Sequence, residues 1–265
     1  MPDTILDRVT YDVVDQVARI ELAHTRAHNS LDKRMGEALR TAAARAAEDV
    51  ASGAARVVVV SAQGRVFSVG GDLAEFGGSP DRGAQVGATA EDLHAALATL
   101  RALEVPVVSV INGTAAGGGL GIALVGDIII AAAEAKLVLA YTASGLTPDC
   151  GLTWVVPHRL SWVRAMDLAL TNRLITGAEA AEWGLVSRAV PANELDTAVE
   201  AVVSALRHGP AHALADTKRL MAESKDREFH DQLSAEATTI SRNIAEPDGI
   251  EGVDAFLAKR KPIYA

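Results

Sequence analysis

Runs and alternations of apolar residues divide the chain into strand-like and helix-like stretches. VTYDVVDQVARIEL (9–22) holds two short β-type runs around Asp15-Gln16, which predicts a hairpin. NSLDKRMGEALRTAAARAAEDV (29–50) opens with capping residues and places Leu31, Met35, Leu39 and Ala43 on one helical stripe. RVVVVSAQG (56–64) is a continuous apolar run ending in a turn, as in a strand covered on both faces. The order then repeats: a helix over AEDLHAALATLRALE (90–104), a strand over VPVVSVING (105–113), a glycine cluster, and a strand over DIIIAAA (127–133). Strand, turn and helix in alternation predict an α/β core. GGSPDRGAQVGA (77–88) is glycine-rich and without period, which predicts a mobile loop. From about residue 155 the pattern turns mostly helical, which predicts a core over 1–195 and a C-terminal helical region over 196–265 suited to assembly.

The bulk numbers narrow the classes. At 265 residues and 49% hydrophobic, the chain can bury one large core. A formal net charge of −9 with no basic stripe argues against nucleic-acid binding, though not against a small anionic ligand held by a few local cations. The longest apolar run, IALVGDIIIAAA (122–133), is broken by Asp127 and too short to cross a bilayer. MPDTILDRVTYD at the N-terminus lacks the basic-then-apolar order of a signal peptide. One cysteine makes neither an internal disulfide nor a thiolate metal site. The expectation is a cytoplasmic protein with no metal, no membrane and no nucleic-acid partner.

Two stretches carry the candidate chemistry. In RVFSVGGDLAEF (65–76) and NGTAAGGGLGIALVGD (112–127), a strand ends in glycines and a helical pattern begins. A helix start offers unpaired N–H groups, and glycines let a ligand oxygen approach them without a Cβ in the way. Two such turns facing each other would give one developing oxyanion two donors. Tight strand-to-helix packing explains a lone glycine cluster equally well. Neither stretch has the spacing of a dinucleotide fingerprint or a P-loop.

SVGGDL, INGTAAGGGLGIAL, GLTPDCGLTW (145–154) and the terminal FLAKRKP, taken together, resemble the crotonase superfamily, the enoyl-CoA hydratases and isomerases. The resemblance is collinear over roughly residues 9–263. It implies an α/β spiral of ββα units with a C-terminal helical trimerisation region, and a homotrimer or dimer of trimers. It also implies acyl-CoA thioester chemistry through an enolate, with no cofactor beyond the coenzyme A of the substrate. Under it Gly71 and Gly118 donate the oxyanion-hole N–H groups, and Gly70, Asp72, Leu73 and Tyr141 lie against the substrate. LAHTRAHNSL (22–31) resembles the family's CoA-contacting loop, with Arg26 near a phosphate and Ala27 against the adenine, although Ala23-His24-Thr25 replaces the usual Asn-Arg-Pro. Phe256 and Lys259 match a C-terminal pair that reaches CoA, in many members from a neighbouring subunit. Read without the family, Arg26 is a solvated loop arginine and Phe256 with Lys259 an amphipathic helix face.

The resemblance also separates activities. Family hydratases use two glutamates around one water; their positions here are Gly121 and Tyr141. Ordinary hydration therefore lacks its acid and base. GLTPDCGLTWVVPHRLSWVRAMDLAL resembles the branch of 1,2-epoxyphenylacetyl-CoA isomerase and certain Δ3–Δ2 enoyl-CoA isomerases, in which the aspartate after the proline is the acid–base group. Asp149 would then shuttle a proton from C2 to C4. Against this stands a plain turn: Thr-Pro-Asp-Cys suits a β-turn whose aspartate bonds its own backbone. Cys150 reads as a small buried apolar residue, Asp72 as a helix cap, and Tyr141 as core. His94 sits where the 4-chlorobenzoyl-CoA dehalogenase branch places its base, so an Asp149/His94 hydrolase is an alternative, as are a weak hydratase and a non-catalytic thioester binder. An exposed helical histidine is the simpler account of His94.

Overall fold

The computed structural model describes residues 2–264. Strand β1 (Asp3–Ile5) leads into the expected hairpin of β2 (Val9–Val14) and β3 (Val17–Leu22). Asp15 and Gln16 both take positive φ (51° and 60°), the mirror-type two-residue turn whose twist suits antiparallel strands. Helix α1 (Lys33–Ala51) starts later than the pattern suggested, because Asp32 is its cap and accepts from the Met35 N–H at 2.7 Å. Asn29 is instead buried outside the helix, its amide donating to the carbonyls of Gln63 (3.1 Å) and Val66 (3.0 Å).

Three strand pairs and their helices follow. They are β4 (Val57–Ala62) and β5 (Val66–Ser68) with α2 (Leu73–Gly78) and α3 (Arg82–Ala102), then β6 (Val107–Ile111) and β7 (Thr114–Ala116) with α4 (Gly118–Ala123), then β8 (Ile128–Ala132) and β9 (Lys136–Val138). The rest is α5 (Leu152–Arg159), α6 (Trp162–Thr171), β10 (Ile175–Thr176), α7 (Gly177–Glu182), β11 (Arg188–Val190), α8 (Leu195–Arg207), α9 (Ala211–Glu223), α10 (Phe229–Asn243) and α11 (Pro247–Leu257). Within each pair the first strand joins a seven-stranded sheet, β1-β2-β3-β4-β6-β8-β11, and the second a four-stranded sheet, β10-β9-β7-β5. From β3 to β11 the large sheet is parallel, and Val57 to Val60 of β4 are all buried, which explains their unbroken apolar run. The two sheets thus wind together from repeated strand–strand–helix units, as the resemblance implies. Among the described residues no helix is long and apolar enough to cross a membrane.

The structure corrects one expectation near the site. Residues 82–88, predicted as a mobile loop, form the first two turns of α3, capped by Asp81 accepting from the Ala84 N–H at 3.0 Å. Gly83 and Gly87 hid the helix from a propensity reading, at about 1 kcal/mol each. Burial of Thr89, Leu93, Ala96 and Leu100 against α1 outweighs that cost. The two-residue β10 and three-residue β11 were also absent from the sequence reading, being too short to show a period. The apolar core continues through Leu195, Val199, Val202 and Val203 of α8, whereas α9, α10 and α11 bury only Asp216, Thr239 and Ala255.

A buried ion pair locks the hairpin to α1 beside the site. Arg8 Nη2 lies 2.6 Å from Asp32 Oδ2, and both side chains are 9% exposed. Burial pushes the Asp32 carboxyl up, but its bonds from Arg8 and the Met35 N–H more than offset this and hold it below the usual range. A depressed carboxyl stabilises the fold above its unfolded pKa, near 4, and that contribution is lost as pH falls through the folded value. Asp32→Ala should lower unfolding free energy by about 3–5 kcal/mol in denaturant titration at pH 7, since it strands a buried guanidinium and uncaps α1. The deficit should shrink on acidification below about pH 4. A loss under about 1 kcal/mol would show that the pair is not desolvated as described.

Candidate active site

Two glycine turns at the ends of the short strands build the floor of the site. After β5 the chain passes through Gly70 at φ 86°. The Leu31 N–H donates to the Gly70 carbonyl (2.8 Å) and the Asp72 N–H to the Leu31 carbonyl (3.2 Å). That bridge uses the groups flanking Gly71 and turns its own N–H to the opposite side. After β7, Gly117 (φ 53°) gives its N–H to the Val138 carbonyl (3.1 Å) and opens α4. The Gly118 N–H, at the first position of that helix, has no intrahelical acceptor. The two turns abut. A Cβ on Gly70 would stand 2.8 Å from the Ala116 carbonyl oxygen, and one on Gly117 3.6 Å from the Gly70 Cα. Glycine is required at Gly70 both for its φ and for this approach.

Gly71 and Gly118 line one cavity of about 120 Å³ with Asp149, Tyr141, Leu31 and Leu93. Asp149 arrives on a turn closed by the Leu152 N–H donating to its carbonyl (3.0 Å), with Cys150 (φ 47°) and Gly151 (φ 74°) at its centre. The turn thus begins at Asp149 instead of running from Thr147 to Cys150. No backbone N–H among the described residues bonds the Asp149 carboxylate. One oxygen, Oδ1, accepts a short hydrogen bond from the Tyr141 hydroxyl. The other, Oδ2, lies 3.9 Å from His94 Nε2. Burial, then the neighbouring Cys150 and Asp149, push the Tyr141 phenol far up, so it stays protonated and acts as a donor.

His94 Nε2 accepts the Cys150 N–H at 3.1 Å, which places the ring proton of the neutral tautomer on Nδ1. His94, Asp149 and Cys150 bring nitrogen, oxygen and sulfur ligand atoms within 4.8 Å of one another. That donor set could suit zinc. Here the Nε2 lone pair is already engaged, and burial with the adjacent carboxylate pushes the Cys150 thiol up. Within the trio the Cys150 N–H bonds His94, while the Asp149 carboxylate takes its hydrogen bond from Tyr141.

Of the residues singled out in the sequence, Gly70, Gly71, Leu73, Gly118, Tyr141 and Asp149 meet at this cavity. Asp72 does not: its carboxylate caps α2, accepting from the Glu75 N–H (3.0 Å) and the Ser30 hydroxyl (3.1 Å). Arg26 and Ala27 form a 3-10 turn on the surface, Arg26 exposed, in a loop whose far end meets the site through Leu31. Phe256, 82% exposed on α11, and Lys259 just beyond it lie outside the cavity of their own chain. The 77–88 stretch and the helix after it are the segments expected from sequence to shape the acyl pocket. The residues that form the opposite wall, Val86, Thr89, Ala90 and Leu93, which repeat at i, i+3, i+4 and i+7 along α3, were not singled out. That spacing was readable but fell partly in the stretch taken for loop.

Gly121, one turn beyond Gly118, explains why this wall holds an aspartate. A Cβ there would lie 2.5 Å from both the Cβ and the carbonyl oxygen of Cys150. The turn that delivers Asp149 occupies the space a side chain at 121 would need.

A family model for enoyl-CoA hydratase/isomerase matches residues 12–265. The 1,2-epoxyphenylacetyl-CoA isomerase of Escherichia coli K12 is 35% identical over 79% of this chain and 80% of its own. A Rhodobacter capsulatus protein bearing the name "Probable enoyl-CoA hydratase" is 33% identical over 97% of both chains. Among solved structures, an enoyl-CoA hydratase from Polaromonas sp. JS666 superposes with a TM-score of 0.89 at 28% identity, covering 97% of this chain and 99% of that one.

Proposed function

The chain belongs to the enoyl-CoA hydratase/isomerase family, and from that premise we propose that it is an acyl-CoA isomerase with Asp149 as its proton shuttle. The observation that carries the proposal is the single acid at the cavity: among the described residues Asp149 alone of the carboxylates lines it, together with Gly71 and Gly118. The positions of the family's two hydratase glutamates hold Gly121 and Tyr141. One carboxylate suffices to move a double bond. The thioester oxygen sits between the two N–H donors, which stabilise negative charge as it develops. Asp149 Oδ2 takes a proton from C2, the dienolate is held by the two N–H groups, and the same oxygen returns the proton to C4. Tyr141 keeps Oδ1 occupied and so fixes the carboxylate's orientation. No metal or redox group enters this sequence, and coenzyme A arrives with the substrate.

Arg26 is our candidate for a CoA phosphate contact. Phe256 and Lys259 would serve a neighbouring subunit's site in a trimer, consistent with exposed Phe229, Leu233, Ile240 and Leu257 on the same C-terminal helices. The enzyme would act in the cytoplasm on a diffusible thioester.

A second reading rests on His94 Nε2, 3.9 Å from Asp149 Oδ2. With Asp149 as nucleophile and His94 activating water, the same residues would hydrolyse an acyl or aryl intermediate. The Cys150 N–H bond to Nε2 counts against it, since a base needs that lone pair free.

The test compares two rates for the purified protein: conversion of trans-3-hexenoyl-CoA to trans-2-hexenoyl-CoA, and hydration of crotonyl-CoA. Isomerisation should exceed hydration by about 10²-fold or more, the scale of a missing general acid–base pair. Faster hydration than isomerisation would overturn the assignment.

A further inference from the structure

A second cavity, about 370 Å³, lies on the far side of the Asp149 turn. It shares Cys150 with the first, and neighbouring residues line one cavity each: Leu93 and His94 on α3, Gly118 and Gly121 on α4. Gly121 of α4 and His94 of α3 both line this space, which therefore lies between the two helices. Its walls are apolar, formed by Leu97, Val125 and Val155, and it ends at Trp154, which is 41% exposed.

The outer end is cationic in a chain of net charge −9. The Arg101 guanidinium lies 4.4 Å from the centre of the Trp154 ring, and Lys225 Nζ lies 4.2 Å from it. His158 stacks on the same indole at 4.2 Å. Among the described residues neither Arg101 nor Lys225 is in a salt bridge, although most arginines of the C-terminal helices are. Burial, then Arg101 and Arg159, hold the Lys225 amine below its usual value, and the adjacent Asp226 offsets them only in part. Arg101 is seven residues from His94, two turns along α3, or about 10 Å.

Resting on the isomerase reading of the first cavity, we propose that the acyl chain passes His94 into this second cavity and carries a carboxylate at its far end, held at Arg101 and Lys225. The substrate class is the monothioester of a medium-chain dicarboxylic acid with coenzyme A. The apolar walls take the methylene chain, and the indole holds both cations at the mouth. A methyl-ended chain of equal length would fill the walls and leave the cations unmatched.

Binding of saturated thioesters tests this apart from catalysis, because they offer no double bond to move. Calorimetry at low salt would compare octanoyl-CoA with the eight-carbon dicarboxylic monothioester, in wild type and in Arg101→Met, which keeps an apolar stem on Trp154. The dicarboxylic thioester should bind the wild type about fivefold more tightly, the upper end for a solvent-exposed ion pair. That ratio should fall as salt is raised and fall towards one in Arg101→Met. Equal or tighter binding of octanoyl-CoA by the wild type, or an unchanged ratio in Arg101→Met, overturns the proposal. Failure of the underlying thioester reading looks different: butyryl-CoA, too short to reach Arg101, would then not bind either.

Discussion

Installing the family's hydratase glutamate as Gly121→Glu is expected to damage the fold and to add no hydration. Gly121 is buried in the first turns of α4, and the Cβ of any other residue would stand 2.5 Å from the Cys150 Cβ and carbonyl oxygen. Both obstacles, a Cβ and a carbonyl oxygen, are fixed by the backbone of Cys150, so no rotamer change relieves the clash. Either α4 shifts, dragging the Gly118 N–H out of line, or the 149–151 turn moves and takes Asp149 with it. Overpacking of this kind costs about 1–3 kcal/mol, and a carboxylate forced into the same space adds several more. Thermal unfolding and activity together check this. The account expects a lowered melting temperature, isomerisation down at least about 10²-fold, and no rise in crotonyl-CoA hydration. A stable Gly121→Glu protein that hydrates crotonyl-CoA would mean that the turn is freely displaced and that a glutamate, not Asp149, defines what this scaffold can do.

The same contact shows what the sequence could and could not reveal. Gly121 stands out in the chain only as the absence of a glutamate, which says what the protein lacks. Its positive role, making room for the Asp149 turn, depends on a contact across 29 residues that no local pattern encodes. Asp149 itself was legible as a candidate beside its β-turn role, but no local pattern shows that its carboxylate bonds Tyr141 and, among the described residues, no backbone N–H. Tyr141 read as core or as substrate contact, and its hydroxyl bonds the Asp149 carboxylate.

The fold was legible where burial imposes a period. β2, β3, β4, β6 and β8 follow from their apolar runs, because a strand covered on both faces tolerates little else. α3 was read short because its first turns carry two glycines and are stabilised by Asp81 and by tertiary packing, neither of which raises local propensity. Asp72 was drawn into the site by its place between two site residues, yet side-chain direction sends it to the N–H groups of α2. Phe256 and Lys259 carry no signal that distinguishes a site contact from a solvated helix face, and in the isolated chain they remain such a face.

The most direct test of the account is steady-state turnover of trans-3-hexenoyl-CoA by wild type and Asp149→Asn, with the affinity for a saturated acyl-CoA measured on both. Asparagine keeps the volume, the acceptor for the Tyr141 hydroxyl and the turn, and removes only the ability to take and return a proton. The account predicts kcat lower by about 10²-fold or more, roughly 3 kcal/mol of barrier, with acyl-CoA affinity and melting temperature within error of wild type. Equal kcat in the two proteins would contradict it and return Asp149 to the role of a turn residue.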